Sequence, residues 1–300
     1  MPDDVLTKEP RVLAEESPRF AEESLQLGEG GRLFGILTRP SRAACNAEPR
    51  PVFVFLSAGL LHRVGPYRLH VRLARELAEM GFSSLRVDLA GMGDSPPRPG
   101  LTHRESVAAD FTEILHGLDS RLGRLPLILE GLCTGADNAT SLARNEQRAV
   151  GLILLDPICF PDGGLTGFRA RAVVAKYANP DRYIAWLRRR WKALVHPQQE
   201  RQAPGGSVDP LALRDLPTLE QVRATFESIR ERGGRVLCVF TDYAHGYYNR
   251  SGQLGRVLRL EGYREFCTEL WWPETHHTYW LELHRRRLME EIKAWARHFA

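Results

Sequence analysis

The sequence predicts an α/β domain with a mostly parallel sheet that is covered by helices on both faces. Short apolar runs of strand length alternate with longer amphipathic runs of helix length through most of the chain. Several apolar runs are continuous, such as Val52-Phe-Val-Phe-Leu56, which is typical of strands buried on both faces. A chain of 300 residues with 43% hydrophobic residues can also bury a full core in one large domain.

The first half of the chain contains the elements of such a sheet in order. Residues 1–22 carry mixed charges and prolines, so we expect a poorly ordered lead-in. The segments 23–27 and 33–38 flank a glycine-rich turn and predict a hairpin. The remaining pattern predicts buried strands at 52–56, 83–88, 127–131 and 150–156, and helices at 67–80, 104–122 and 136–144.

The pattern changes after Asp156. No convincing strand pattern lies between residues 157 and 217, where the periodicity predicts helices at 168–178 and 181–195. We therefore expect residues 157–217 to form a helical cap insertion. Strands are predicted again at 235–240 and 264–271, and helices at 218–232, 253–260 and 280–299. The core then comprises residues 23–156 and 218–300, with about eight strands in the sheet.

Composition narrows the class of partner. The net charge of +4 is spread along the chain, which argues against a nucleic-acid-binding protein. No run of about 18 apolar residues is present, so no membrane span is expected. The five cysteines lack paired spacing and the N-terminus lacks an apolar signal core, which together favour a cytoplasmic location. Neither metal-ligand spacing nor a phosphate-binding glycine loop is found, so no metal and no cofactor are expected.

Residues 127–136 contain the main local signal for function. An apolar run of strand type meets Gly131-Leu-Cys133-Thr-Gly135, and a helix-compatible run follows. A strand, a sharp turn and a helix form the context in which a nucleophile elbow holds its side chain in a strained backbone conformation. The two glycines leave room for close packing, and the helix N-terminus favours a thiolate at Cys133. The alternative interpretation of Cys133 is a buried structural thiol.

Three further loops follow predicted strand ends, where open α/β sheets place their sites. These loops contain Leu60, Asp242 and His277. Acyl-transfer chemistry needs a nucleophile, a base that takes its proton, an acid that orients the base, and N–H donors for the oxyanion. Cys133, Asp242 and His277 supply the first three groups, in the chain order of nucleophile, acid and histidine.

With these residues the sequence resembles the α/β-hydrolase superfamily from about residue 23 to residue 299. The resemblance includes Ser57-Ala-Gly-Leu60 at the oxyanion loop, Asp88-Leu-Ala-Gly-Met-Gly-Asp-Ser95 at the D-x-x-G-x-G-x-S turn, and His277-Thr before the last helix. The run 59–66 resembles hydrolases found near exosortase and surface-polysaccharide systems. Two features depart from the common pattern. Cysteine replaces serine, as in dienelactone hydrolases and polyhydroxyalkanoate synthases, and Ser57-Ala58 stands where many members have His-Gly.

The resemblance implies an α/β-hydrolase fold and assigns roles to individual residues. His277 is preferred to His276 as the base, because the family's histidine lies just before such a Thr-aromatic pair. Asp242 is preferred as the acid, because it follows the strand at 235–240, the common acid position, and Asp156 is the alternative. The backbone N–H groups of the oxyanion hole are assigned to Leu60 and Thr134.

A cysteine at this position predicts acyl-transfer chemistry. A thiolate attacks esters and thioesters readily, and the acyl-thioenzyme that results remains an activated acyl donor. We expect hydrolysis of a small-molecule acyl ester or thioester. The alternatives are an acyltransferase or cyclase that excludes water, and a non-catalytic binding protein of the same fold. The run Arg188-Arg-Arg190 is expected to face solvent, although it could instead dock an acyl carrier protein or the phosphates of a coenzyme A thioester.

Overall fold

Eight strands form one mixed sheet in the computed structural model, which describes residues 19–41, 50–57, 59, 61–162 and 216–300. The strands are β1 (Phe20–Leu27), β2 (Leu33–Pro40), β3 (Val52–Leu56), β4 (Ser84–Val87), β5 (Leu127–Leu132), β6 (Ala149–Leu155), β7 (Arg235–Phe240) and β8 (Cys267–Trp271). Their spatial order is β1-β2-β4-β3-β5-β6-β7-β8. β1 and β2 pair antiparallel, as do β2 and β4, and all other neighbours are parallel. The predicted sheet is therefore confirmed.

Seven α-helices connect or follow the strands in the described residues. They are α1 (Leu69–Glu79), α2 (His103–Leu122), α3 (Thr134–Asn145), α4 (Leu219–Glu231), α5 (Gln253–Leu258), α6 (Tyr263–Phe266) and α7 (Glu282–Ala296). Two of the long helices begin with a capping box, in which a threonine and the side chain three residues later satisfy each other's backbone N–H groups. The threonines are Thr102 before α2 and Thr218 before α4.

The two faces of the sheet bury separate hydrophobic cores, because successive side chains of a strand point to opposite faces. On β3, Val52, Val54 and Leu56 belong to one core and Phe53 and Phe55 to the other. The first core is completed by α2, α3 and α4, and the second by α1 and α7. The carboxyl ends of the parallel strands are thus fixed from both sides, which positions the loops that follow them.

The hairpin at the start of the sheet extends into the predicted lead-in. β1 begins at Phe20, three residues before the expected start, and pairs with β2 as far as Pro40. Ion pairs stabilise this extension of β1: Glu22 accepts hydrogen bonds from Arg75 at 2.6 Å and from the largely buried Arg86 at 2.7 Å. These partners are far away in the sequence, so local pattern alone does not reveal them. Residues 1–18 lie outside the described residues.

Two element boundaries differ from the sequence prediction. The segment 264–271 was expected to be one strand, but α6 occupies Tyr263–Phe266 and β8 begins at Cys267. The segment 67–80 was expected to be one helix, but a 3₁₀ turn at Pro66–Arg68 precedes α1. Tyr67 and Arg68 have φ angles of 49° and 62°, which interrupt the helix before Leu69.

Most of the predicted cap falls outside the described residues. Of the segment 157–217, the structure describes 157–162 and 216–217, and these residues contain neither helix nor strand. The part of this segment that is not described contains the helices predicted at 168–178 and 181–195 and the run Arg188-Arg-Arg190. In the loop after β3, Leu60 also lies outside the described residues. No helix in the described ranges is long and apolar enough to cross a membrane.

Candidate active site

Cys133 occupies a sharp turn between β5 and α3. Its backbone angles, φ 55° and ψ −117°, lie outside the regions that non-glycine residues normally adopt. Backbone hydrogen bonds hold the turn on both sides: the N–H of Cys133 donates to Leu155 on β6, and its carbonyl accepts from Ala136 and Asp137 in α3. The expected strained elbow is thus found at Cys133.

The glycines on either side of Cys133 permit the close approach of β5, α3 and β3. A Cβ atom on Gly131 would lie 2.1 Å from the carbonyl carbon of Gly135, and one on Gly135 would lie 2.8 Å from the Leu56 carbonyl oxygen. Both contacts are with backbone, which cannot move aside without disturbing the sheet. The packing role predicted for these glycines is confirmed.

His277 lies between an acidic side chain and the thiol of the elbow. Its Nδ1 is 2.6 Å from Oδ2 of Asp156, and its ring is also hydrogen-bonded to Cys133. Since Nδ1 is engaged by Asp156, Nε2 is the nitrogen that faces the sulfur. The competing histidine, His276, is exposed and is instead hydrogen-bonded through Nδ1 to the hydroxyl of Thr278 at 3.0 Å. Of the two histidines, His277 is therefore the one that lies between a carboxylate and the elbow.

The structure does not place Asp242, the preferred acid, beside the imidazole ring; the alternative, Asp156, lies there instead. Asp242 begins a 3₁₀ turn after β7, where its Oδ1 accepts the backbone N–H of His277 at 2.9 Å. It therefore holds the loop that carries His277 and does not pair with the imidazole ring. Asp156 follows β6 with a φ of 50°, which turns its carboxylate toward the ring.

The carboxylate of Asp156 is completely buried and well supplied with hydrogen-bond donors. Thr241 donates its backbone N–H to Oδ1 and its hydroxyl to Oδ2, each at 2.6 Å, and His277 is the third partner. Such donors offset the desolvation of a buried charge. Sequence reasoning missed Thr241. The available signal was its position: Thr241 directly follows β7 and Asp156 directly follows β6, and these two strands are parallel neighbours.

Two opposing effects determine the pKa of His277. Burial disfavours the charged ring and would lower the pKa, but the hydrogen bonds and negative charges of Asp156 and Cys133 outweigh it and raise the pKa to about 9. Tyr243 stacks on the ring with centroids 4.1 Å apart and planes 22° from parallel. This contact, also missed from sequence, restrains the orientation of the imidazole.

Thr134, predicted as an oxyanion residue, is the first residue of α3, where helix N–H groups have no acceptor inside the helix. Its side chain has a second role that the sequence did not reveal. The Oγ1 atom accepts the backbone N–H of Gly59 at 2.6 Å, which ties the loop after β3 to the elbow. Leu60, the other predicted oxyanion residue, directly follows Gly59 in this loop and lies outside the described residues.

The D-x-x-G-x-G-x-S turn fixes the same loop from the other side. Asp88 is fully buried and accepts two hydrogen bonds from Arg63, one from the backbone N–H at 2.5 Å and one from the guanidinium. The same guanidinium contacts Asp94 at 2.8 Å. His62, Asp88 and Asp94 offer possible metal ligands within 4.8 Å of one another, but Arg63 already supplies a cation to both carboxylates. The arrangement therefore serves to anchor the loop.

The fold and the arrangement of Cys133, His277 and Asp156 define an α/β-hydrolase. The family model described as serine aminopeptidase, S33 (Hydrolase_4) matches residues 48–220, which is more than half of the chain. The chain belongs to this family. Cysteine stands at the elbow where the family description names a serine enzyme.

Individual relatives are more distant. Human protein ABHD12B is 32% identical over 97 residues, and the chain covers only 25% of that protein's length. The Pyrococcus furiosus esterase Pf2001 is 14% identical, with a TM-score of 0.54 over 97% of both chains. Est1E from Butyrivibrio proteoclasticus, solved with ferulic acid, is 17% identical, with a TM-score of 0.53 over 89% of this chain and 95% of its own. At these identities the likeness to the solved structures concerns the fold alone.

Proposed function

We propose that the chain is an acyl-transfer enzyme, by default a hydrolase of esters or thioesters, with Cys133 as its nucleophile. One observation supports this most directly: Asp156, His277 and Cys133 form a continuous hydrogen-bonded series that ends at the strained elbow. A structural thiol needs neither a histidine nor a buried carboxylate behind that histidine. The description of the family as hydrolytic enzymes points to the same class of reaction.

The geometry supports a reaction in two halves. In the first, the sulfur of Cys133 attacks the substrate carbonyl while His277 holds the thiol proton, and the tetrahedral oxyanion forms near the N–H of Thr134 and the loop after β3. Collapse of this intermediate breaks the bond to the leaving group, which takes the proton from His277 and leaves an acyl-thioenzyme. In the second half, His277 removes a proton from water as its oxygen attacks the acyl carbon. The C–S bond then breaks, the carboxylic acid leaves, and His277 returns the proton to the sulfur of Cys133. Asp156 keeps the ring oriented throughout.

The cysteine favours a second candidate within the same chemistry. A thioester intermediate retains most of its acyl-transfer potential, so an alcohol, amine or carbon nucleophile can replace water. An acyltransferase or cyclase would use the same three residues and differ only in what reaches the acyl carbon. In either case the acyl donor can be a small-molecule ester, a coenzyme A thioester or an acyl carrier protein. A cytoplasmic location remains part of the proposal.

The mass of the intact protein after incubation with a panel of acyl thioesters tests this function. We expect a covalent acyl adduct on Cys133 in the wild type and none in Cys133→Ala, with turnover reduced by several orders of magnitude. Cys159→Ala is the matched control, because Cys159 is buried and burial raises the pKa of its thiol. A Cys133→Ala variant within about tenfold of wild-type turnover would contradict the cysteine mechanism. An adduct that persists in water but is discharged by an added amine or alcohol would identify a transferase.

A further inference from the structure

Exposed apolar side chains lie beside the loop that carries His277. Six large hydrophobic residues are exposed in the part of the chain that the structure describes, and three of them are Trp280, Leu281 and Leu283. Trp280 is 52% exposed and Leu283, at the start of α7, is 72% exposed. The three residues lie within four positions of the chain, and neighbouring exposed apolar side chains mark an interaction surface more often than single exposed residues do.

Tyr67, which is 60% exposed, joins these residues from the loop after β3. The guanidinium of Arg285 lies 5.2 Å from the centroid of the Tyr67 ring, and its Nη1 donates to the carbonyl of Trp280 at 2.7 Å. One arginine therefore connects the two loops into a single surface. We call this surface, made of Tyr67, Trp280, Leu281 and Leu283, the Trp280 patch.

The charge around the Trp280 patch is positive. Arg285 contacts the patch, and four more arginines are sequence neighbours of its residues or pair with Glu282 beside Leu281 and Leu283, against two glutamates that pair with four of the five. The arginines are Arg68, Arg72, Arg285, Arg286 and Arg287, and the glutamates are Glu274 and Glu282. The side chain of Arg286 is 71% exposed. An apolar patch with aromatic residues and a rim of arginines complements a surface that is apolar inside and anionic at its boundary.

We propose that the Trp280 patch docks the protein on the surface of an anionic lipid bilayer. The leucine and aromatic side chains would enter the boundary between headgroups and acyl chains, and the arginines would contact the headgroup phosphates. His277 precedes Trp280 by three residues, so the loop that carries both would then face the bilayer. The proposal concerns binding and does not depend on the chemistry of Cys133.

The limited apolar area favours a bilayer over a protein partner. A standard protein–protein interface buries about 800 Å² on each side, which is more than four partly exposed side chains supply on their own. Insertion into lipid needs only that individual apolar side chains leave water, and each fully buried leucine contributes enough to change affinity roughly tenfold or more.

Sedimentation with vesicles tests the proposal. The full chain is mixed with vesicles of phosphatidylcholine alone, or of equal parts phosphatidylcholine and phosphatidylglycerol, at low and high salt. We expect binding to the mixed vesicles that weakens as salt is added, and a loss of roughly tenfold or more in Leu283→Glu. Leu101→Glu is the matched control, because Leu101 is also exposed but leads into α2, which packs on the opposite face of the sheet. Circular dichroism verifies that both variants fold.

Each other outcome overturns the proposal. Absence of binding to anionic vesicles at low salt, or an equal loss in Leu101→Glu, would show that the Trp280 patch does not recognise lipid. A wild type that is dimeric without lipid affinity, with a monomeric Leu283→Glu, would make the patch a self-association surface. Binding is measured again in Cys133→Ala, so that failure of the lipid proposal is distinguished from failure of the proposed catalysis.

Discussion

Asp156 and His277 are 121 residues apart in the chain, yet Nδ1 of the imidazole lies 2.6 Å from a carboxylate oxygen of Asp156. The nearer acid in sequence, Asp242, bonds the backbone of His277 and not its ring. The two carboxylates that bracket His277 therefore have separable roles, one electrostatic and one conformational.

Substitution by asparagine separates these roles. Asp156→Asn removes the charge behind His277 and is expected to lower kcat by roughly 10³–10⁴-fold, the typical cost of losing the acid of such a triad. Asp242→Asn retains an oxygen that can accept the His277 N–H, so its kcat should stay within about tenfold of wild type. The kcat of both variants is measured by steady-state ester hydrolysis, after their melting temperatures have been shown to match. The reverse order of effects would restore Asp242 as the acid.

The sequence was sufficient to place Cys133 and His277 in one site, but not to choose the carboxylate that contacts the imidazole ring. Asp156 and Asp242 follow neighbouring parallel strands, β6 and β7, and so occupy similar places at the edge of the sheet. Which carboxylate reaches the ring depends on the φ of 50° at Asp156 and on the two donors from Thr241. Neither feature leaves a periodic pattern, and the same holds for the side-chain bond between Thr134 and Gly59.

The raised pKa of His277 predicts a specific dependence of stability on pH. The folded-state value of about 9 exceeds the ordinary value of 6.5, so the folded protein retains a proton that the unfolded chain releases. The stabilisation is fully present below pH 6.5 and is lost as pH rises to about 9. Urea unfolding at both ends of this window should show a larger fall for wild type than for His277→Gln. Equal falls in the two proteins would show that His277 is not charged in the folded state.

Alkylation reports on the same charge pair. If the His277 cation lies beside a thiolate, iodoacetamide should label Cys133 at neutral pH well before Cys238, since burial raises the pKa of that thiol. Peptide mass spectrometry resolves the individual cysteines. The labelling of Cys133 should slow in His277→Ala. An unchanged rate in that variant would mean that His277 does not activate Cys133 in the free enzyme.

The hydroxyl of Thr134 is expected to matter for rate through the loop it holds. Thr134→Val keeps the shape of the side chain but removes the acceptor of the Gly59 N–H, so the loop after β3 loses its tether to the elbow. We expect kcat to fall roughly tenfold to a hundredfold with a small change in KM, because misplacement affects the oxyanion more than substrate binding. Thr134→Ser, which retains the hydroxyl, is the control. Equal activity of the two variants would refute this role.

A buried acid beneath the elbow predicts a second pH effect. Glu130 on β5 is completely buried, and burial raises its pKa to about 8. His70 lies 3.5 Å away, and its own burial and the charge of Arg86 lower its pKa to about 4, so the two side chains face each other uncharged at neutral pH. Because the folded state holds the Glu130 proton more tightly, the contribution of Glu130 to stability falls as pH rises from 4.5 to about 8. The lowered pKa of His70 acts in the opposite direction between about pH 4 and 6.5, so the net fall is expected above pH 6.5. Glu130→Gln should flatten this fall in urea unfolding, and an unchanged slope would contradict it.

The strain at Cys133 is imposed by its neighbours and not by its own side chain. Gly131 and Gly135 set the separation of β5 and α3, and the backbone of Cys133 is bonded to β6 and α3. The side-chain atom at position 133 can therefore be exchanged without rebuilding its surroundings. Cys133→Ser would place oxygen in the geometry that sulfur now occupies, so a single protein could compare the two nucleophiles with every other group unchanged. The partition of the acyl intermediate between water and an amine, compared in the two proteins, would then measure how sulfur in place of oxygen changes the choice of acyl acceptor.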